Sequence, residues 1–186
     1  MVYLSDNLTV IPEGIFCCCT SLKNLTWPQN LITIEEDAFC CSGLETASLP
    51  DSLEVIGMGA FDSCEYLAEV KLPKNLRVLD NRAFVWCPKL KEITIPKSLT
   101  TWGEMTFASC ESLEKVNFEN GFNLNAIPRS TFEDCWVLKQ FDIPESITTI
   151  ESYAFEKCYS LRTMVFPNTI STINSYAFYD CEKLLS

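Results

Sequence analysis

Apolar residues recur along this chain at intervals of about 23 residues. The clearest marker is a phenylalanine at positions 16, 39, 61, 84, 107, 132, 155 and 178, so that successive copies are 23, 22, 23, 23, 25, 23 and 23 residues apart. A leucine follows each phenylalanine after five or six residues, from Leu22 to Leu184. Eight copies at one period indicate a repeat protein in which each copy is one structural unit.

Each copy predicts a short strand just after its leucine. Two apolar residues flank a polar one there, as Ile93 and Ile95 flank Thr94, and a proline ends the run in six of seven copies. Alternation with a period of two is typical of a strand, and proline cannot continue a sheet ladder. In the exceptional copy Glu119 replaces the proline and two extra residues enter around Asn120 and Gly121, which predicts a loop or a local bend.

A second apolar pair follows the proline with a spacing of three residues. Leu76 with Leu79 is one example, and Ile147 with Ile150 is another. This spacing suits a helical or 3₁₀ turn, and it equally suits a bent second strand. The pattern leaves both alternatives open.

Such copies are expected to fold only as a stack. One copy has an apolar face with nothing to bury it against, whereas stacked coils place equivalent residues in ladders, with parallel strands about 4.8 Å apart. Burial of one Leu, Ile or Phe contributes roughly 1.5 to 3 kcal/mol, which over several positions offsets an ordering cost of about 1 to 2 kcal/mol per backbone residue. The sequence therefore predicts phenylalanine, leucine and cysteine ladders along one solenoid.

The copy from Leu76 to Pro96, LRVLDNRAFVWCPKLKEITIP, resembles the BspA-type leucine-rich repeat, and the resemblance covers nearly the whole chain. It implies an α/β repeat fold: a leucine-rich-repeat solenoid with short parallel strands on the concave side and turns, 3₁₀ or short helical segments on the convex side. We expect residues 1–186 to form a single array of about eight repeats, as a segment of a longer array without caps. The resemblance also implies a protein-interaction or adhesion module of a surface or secreted protein.

Eight of the eleven cysteines recur at one position of the repeat. With Cys41 assigned to this column in the short second copy, the column contains Cys19, Cys41, Cys64, Cys87, Cys110, Cys135, Cys158 and Cys181. Free cysteine is among the most buried residue types, and equivalent residues on the strandless side are expected to lie too far apart for routine bridging. The column therefore predicts cysteines that are reduced and packed in the core.

Three cysteines, Cys17, Cys18 and Cys40, lie outside this column. Loose surface thiols, a Cys17–Cys40 bridge and a metal site remain open for them, although the usual CxxC spacing of metal sites is missing.

Composition narrows the expected function. The formal net charge is −11, and without a basic stripe a nucleic acid is not an expected partner. The chain has no histidine and no glycine-rich phosphate loop, which removes the usual bases, nucleophile pairs and phosphate sites of enzymes. We therefore predict a non-enzymatic protein without cofactors. The sequence has no apolar run long enough to span a membrane.

Two groups of residues are candidate contacts for a protein partner. The first comprises polar side chains at outward positions of the predicted strands: Glu69, Lys71, Glu92, Thr94, Lys115, Asn117, Gln140 and Asp142. The second comprises aromatic residues outside the core ladders: Trp86, Trp136 and Tyr159. Trp136 with Tyr159 is the preferred aromatic patch, because interface hot spots favour Trp and Tyr. Alternatively, each ring covers a gap between coils.

The resemblance implies a host matrix or cell-surface protein as the partner and the cell surface or exterior as the location. The alternative hypothesis is an intracellular scaffold or structural component. The start, MVYLSDNLTV, does not read as a signal peptide, and free thiols suit a reducing compartment, so a chain complete as printed is expected in the cytoplasm. Repeat copies reach both ends of the sequence, and an uncapped end exposes core residues and an unpaired strand edge. If the array is not longer, end-to-end self-association is therefore expected to cover these ends.

Overall fold

The computed structural model describes residues 2–185, which wind into a parallel-strand solenoid. The odd-numbered strands are β1 (Val2–Tyr3), β3 (Leu25–Thr26), β5 (Thr46–Ser48), β7 (Glu69–Lys71), β9 (Glu92–Ile95), β11 (Lys115–Phe118), β13 (Gln140–Asp142) and β15 (Thr163–Val165). The even-numbered strands are β2 (Val10–Ile11), β4 (Thr33–Ile34), β6 (Val55–Ile56), β8 (Val78–Leu79), β10 (Thr101–Trp102), β12 (Ala126–Ile127), β14 (Thr149–Ile150) and β16 (Thr172–Ile173). We number the coils from one to eight, so that coil one contains β1, β2 and Phe16.

The odd-numbered strands are those that the apolar alternation predicts. They pair in parallel, β1 with β3, β5 with β7, β9 with β11 and β13 with β15, because each coil returns in the same direction. In the longest pair Ile93 lies opposite Val116. Both are buried, whereas the neighbouring Glu92 and Thr94 are exposed. Each of these strands therefore presents alternate residues to the core and to solvent.

The second apolar pair of each copy ends in a short strand: Leu79 lies in β8, whereas Leu76 lies just before it. Of the two alternatives that the sequence leaves open, the structure thus shows the strand. The even-numbered strands build a five-stranded sheet, β2-β4-β6-β8-β10, and a three-stranded sheet, β12-β14-β16. Ile34 lies opposite Ile56, and Ile56 opposite Leu79; all three are fully buried. The β-branched residues of these strands favour extended backbone. No helix occurs within residues 2–185, so turns and short strands form the side for which the resemblance implies turns, 3₁₀ or short helical segments.

The second sheet is interrupted between β10 and β12, where coil six carries two extra residues. Phe122 of this segment is buried, with its ring centroid 4.8 Å from that of Phe118 and 6.1 Å from that of Trp102. A carboxylate oxygen of Glu119 accepts a 3.1 Å hydrogen bond from the backbone of Lys97 in coil five. The insertion is therefore anchored to the solenoid by a buried ring and a hydrogen bond.

The phenylalanines form a continuous ring stack on the third side of the coils. The seven neighbouring pairs from Phe16 to Phe178 have centroid distances of 5.0 to 5.9 Å. The six interior rings are fully buried. This stack confirms the ladder that the period predicts.

Turns with left-handed backbone surround each phenylalanine. Two residues per coil, four positions apart, have positive φ; in coil four they are Arg82 and Trp86, both at 58°. Their amides donate hydrogen bonds of 2.8 and 2.9 Å to the carbonyls of Glu104 and Ala108 in coil five. Left-handed backbone is unfavourable for residues other than glycine, and these inter-coil bonds offset that strain. They also hold neighbouring coils together on a side that has no strand.

The cysteine column is buried from Cys64 to Cys158, and each of its thiols from Cys64 onward meets a backbone carbonyl of the preceding coil. The Sγ atoms of Cys87 and Cys110 both lie 3.3 Å from the carbonyl oxygens of Phe61 and Phe84, respectively. The same contact is made by Cys64, Cys135, Cys158 and Cys181. Burial raises the pKa of Cys110 to about 12, so that this thiol stays protonated and can donate.

In coil two the column position is held by Ser42, and the assignment of Cys41 to it is wrong. Ser42 is buried, and its Oγ lies 3.5 Å from the Sγ of Cys64. Cys41 has a φ of 55°, like Cys18 at 57°, so it is the left-handed turn residue of its coil. The assignment fails because the missing residue of copy two lies after Ser42, beside Gly43.

We expect Cys110→Ser to lower the free energy of unfolding by less than about 1 kcal/mol, and Cys110→Ala to lower it by about 1 to 3 kcal/mol. A hydroxyl keeps a donor for the Phe84 carbonyl, and Ser42 shows that serine fits the column. Alanine leaves that buried carbonyl without its thiol donor. Urea denaturation followed by circular dichroism measures both changes, and equal losses would contradict a role for the thiol as donor.

Candidate functional site

The outward side chains of β7, β9, β11 and β13 lie on one side of the solenoid. We call this set the strand-face patch; it comprises Glu69, Lys71, Glu92, Thr94, Lys115, Asn117, Gln140 and Asp142. All are exposed except Asn117, which is half-buried. The parallel register places Glu92 opposite Lys115 and Thr94 opposite Asn117. The structure thus brings together the polar residues that the alternation places outward.

Two depressions open on the strand-face patch. The first has a volume of about 590 Å³ and is lined by Glu69, Lys71, Glu92 and Thr94 over an apolar floor that includes Val70 and Ile93. The second has a volume of about 540 Å³ and is lined by Asn117 and Asp142 with Phe118 and Phe122. Glu119 lines both depressions, so the irregular coil six shapes the surface between them.

The charges of the patch differ in how far they are paired. Lys115 Nζ lies 3.4 Å from Glu92 Oε1, and the Asn117 side-chain amide donates to the same oxygen at 2.6 Å. The Asn117 hydrogen bond and then the Lys115 charge lower the pKa of Glu92, which keeps this carboxylate ionised. Within the described part of the chain, no ion pair engages Glu69 or Lys71. These two charges remain available to a partner.

The aromatic pair of Trp136 and Tyr159 lies at the corner between the phenylalanine turns and the odd-numbered strands. Its ring centroids are 6.5 Å apart at 43°, and Trp136 is 41% exposed. Trp136 Nε1 donates a 3.1 Å hydrogen bond to the Asp134 carboxylate, which orients the indole. The structure therefore brings these two rings together but places them off the strand-face patch.

The third predicted aromatic, Trp86, lines a cleft that the sequence analysis missed. This coil-two cleft has a volume of about 630 Å³, and its lining includes Cys41, Gly43, Glu45, Glu65, Tyr66 and Trp86. It lies where the second copy lacks one residue and Gly43 packs against the backbone of Thr20. The only signal in the sequence was the 22-residue interval between Phe39 and Phe61.

Neither metal-binding groups nor membrane spans are found in the described residues. Between residues 2 and 185, no three or more His, Cys, Asp or Glu side chains are arranged to hold a metal ion. The geometry of Cys17, Cys18 and Cys40 thus offers no support for the metal alternative. The described chain also contains no helix of the length and apolarity that a membrane crossing requires.

Family comparison identifies the repeat. A family model described as the BspA type leucine rich repeat region matches six copies over residues 1–114 and 55–185, which together span nearly the whole chain. Comparison with curated protein sequences gives no significant match.

Several solved structures share this solenoid. A leucine rich cell surface protein from Faecalibacterium prausnitzii A2-165 is 26% identical, with a TM-score of 0.62, over 99% of this chain and 58% of that protein. The pneumococcal vaccine antigen PcpA is 24% identical, with a TM-score of 0.75, over 99% of this chain and 49% of the antigen. The leucine rich repeat protein of T. pallidum is 22% identical, with a TM-score of 0.62, over 100% of this chain and 72% of that protein. This chain thus spans about half to three quarters of these structures.

Proposed function

Since the chain belongs to the BspA-type leucine-rich repeat family, we propose that it is a non-enzymatic interaction module that binds a host matrix or cell-surface protein through the strand-face patch. The family suggests protein interaction or adhesion in general terms. The observation that favours this surface is the pair of depressions along β7 to β13, with polar rims and an apolar floor. The similar F. prausnitzii protein is described as a cell surface protein, which supports the same location for this chain.

The rim of the first depression suits a partner segment with charges of both signs. Among residues 2–185, none forms an ion pair with Glu69 or Lys71, whereas Glu92 is held in place by Lys115 and Asn117. A side chain that is already held loses little conformational freedom on binding, and a free charge gains most from a complementary partner. Binding at such a rim should weaken as salt concentration rises.

We expect the double variant Glu69→Lys/Lys71→Glu to weaken binding about tenfold or more, because it exchanges two charges at the rim and places like charges against the partner. The net charge of the chain is unchanged. The measurement is surface plasmon resonance against purified matrix proteins such as fibronectin, laminin and collagen. The wild-type protein should bind at least one of them with an affinity that falls with added salt.

The matched control exchanges the exposed ion pair of Asp51 and Lys74, whose side chains are 2.8 Å apart outside the patch. The variant Asp51→Lys/Lys74→Asp keeps both the net charge and the pair, so its affinity should equal that of the wild type. Equal weakening by both exchanges would mean that the binding does not use the strand-face patch. Failure of the wild type to bind any matrix protein, with specific capture from the lysate of its own cells, would favour an intracellular scaffold.

The aromatic pair is the second candidate contact surface, since Trp136 is exposed and its indole is held in one orientation. In the same assay, Trp136→Ala/Tyr159→Ala should leave affinity unchanged if the strand-face patch is the binding surface. Loss of binding in this variant alone would transfer the site to the aromatic pair.

A further inference from the structure

Four thiols at the start of the array differ from the buried cysteine column. Cys17 and Cys18 are exposed in coil one, and Cys40 and Cys41 are half-buried in coil two. The column thiols from Cys64 onward meet backbone carbonyls, whereas the hydrogen-bonding contacts of these four side chains within the described residues are with one another. The Sγ atoms are 3.6 Å apart in the Cys17 and Cys18 pair and 3.6 Å apart in the Cys40 and Cys41 pair.

Cys17 and Cys40 occupy equivalent positions on neighbouring coils, each directly after its phenylalanine. The two coils are hydrogen-bonded here, since the Cys18 amide donates to the Cys40 carbonyl at 2.7 Å, and the rings of Phe16 and Phe39 are stacked 5.2 Å apart. A disulfide requires Cα atoms about 4.4 to 6.8 Å apart. Hydrogen-bonded parallel chain segments lie about 4.8 Å apart, so equivalent residues of these two coils are expected within that range. The bridge between Cys17 and Cys40 that the sequence leaves open is therefore compatible with the spacing of the coils.

The competing pairs within each coil are less suited to a bond. Consecutive Cα atoms are about 3.8 Å apart, below the usual disulfide range, so a bond between Cys17 and Cys18 would be strained. Across the coils, the Cys40 thiol is among the neighbours that act on the Cys17 thiol, whose pKa it lowers. The geometry therefore favours a bond between coils over one within a coil.

We propose that Cys17 and Cys40 form a disulfide that ties coil one to coil two when the protein meets a low-molecular-weight disulfide such as oxidised glutathione. The Cys17 thiolate attacks one sulfur of that disulfide and releases one thiolate. The Cys40 thiolate then attacks Cys17 Sγ in the mixed disulfide and releases the second. One external disulfide is thus reduced to two thiols, while the two cysteines are oxidised and lose one hydrogen each.

The surroundings of the two thiols make this reaction dependent on pH. Burial and then the Cys41 thiol raise the pKa of Cys40, and Asp62 and Cys17 act in the same direction. The hydrogen bond with Cys18 is the largest influence that raises the pKa of Cys17. Little thiolate is present at neutral pH, so bridge formation should be slower at pH 7 than at pH 9.

The test is to incubate the reduced full chain with oxidised glutathione and then block the remaining thiols with excess N-ethylmaleimide near neutral pH in denaturant. Intact mass spectrometry should show a species that carries two fewer maleimide groups and no glutathione. Peptide analysis should then show a linkage between coil one and coil two. The buried thiols of Cys87, Cys110 and Cys135 serve as internal controls that do not join the linkage.

Variants are needed to identify the bridged cysteines. Cys17, Cys18 and Cys19 are consecutive, so the mass of a linked peptide does not show which of them forms the bond. Cys17→Ser and Cys40→Ser should each abolish the linkage, whereas Cys18→Ser/Cys41→Ser should retain it. Circular dichroism checks that each variant is folded. The proposal is overturned by glutathione mixed disulfides without a bridge, by a linkage that Cys18→Ser/Cys41→Ser removes, or by thiols that all remain free at pH 9.

Discussion

Replacing Phe84 by alanine should lower the free energy of unfolding by about 3 to 5 kcal/mol. The side chain is fully buried, and its ring lies between those of Phe61 at 5.0 Å and Phe107 at 5.8 Å. Hydrogen bonds between coils hold the backbone at this spacing, so the neighbours cannot collapse into the cavity that alanine leaves. Urea denaturation followed by circular dichroism measures the loss.

The matched control is Phe178→Ala at the last described coil. Phe178 is only partly buried; its ring stacks on that of Phe155 at 5.4 Å and meets the ring of Phe166 edge-on at 5.9 Å. Phe178→Ala should lower the free energy of unfolding by a smaller amount, about 1 to 2 kcal/mol, because this substitution exposes less apolar surface to water. An interior cavity should also weaken the coupling between the coils on either side, since repeats interact chiefly with their nearest neighbours. If Phe84→Ala and Phe178→Ala lowered the free energy of unfolding equally, packing of an interior ring against two neighbours would not be the source of its stabilisation.

The sequence predicts the parts of the fold that depend on periodic burial. Phe84 and Phe107 recur at the repeat interval, and Ile93 and Ile95 alternate with polar residues, so the core ladder and the odd-numbered strands follow directly. The same alternation places Glu92 outward on the candidate binding face. These features require only that apolar side chains leave water and that coils stack.

Other features depend on contacts between coils that a single copy does not reveal. Glycine stands at only two of the sixteen left-handed turn positions, so residues such as Arg82 and Trp86 give no sign of their backbone conformation. The inter-coil hydrogen bonds that stabilise it appear only in the stack. Similarly, the volumes of the two depressions depend on the path of Glu119 and Phe122, which the two extra residues of coil six leave undetermined in the sequence.

The short second copy leads to the other large expected effect: Gly43→Ala should destabilise the protein by about 2 to 3 kcal/mol. A Cβ at this position would meet the carbonyl of Thr20 and lie 2.7 Å from its carbon, which belongs to the backbone. Coil two cannot move away freely, because the Gly43 amide donates a 3.1 Å hydrogen bond to the Cys19 carbonyl. Urea denaturation measures the decrease in the free energy of unfolding. A destabilised coil one should exchange its amide hydrogens faster, so slower exchange there than in the wild type would contradict the prediction.

Inserting one serine between Gly43 and Leu44 tests the cause of this close approach, because it restores the 23-residue interval of the neighbouring copies. Those copies carry Thr20 and Glu65 at the position of Gly43, so a coil of ordinary length has room for a side chain there. With the serine present, Gly43→Ala should therefore change the free energy of unfolding by less than about 0.5 kcal/mol, as for an unstrained surface substitution. If alanine destabilises both lengths equally, the missing residue is not what draws the two coils together, and the coil-two cleft has another origin.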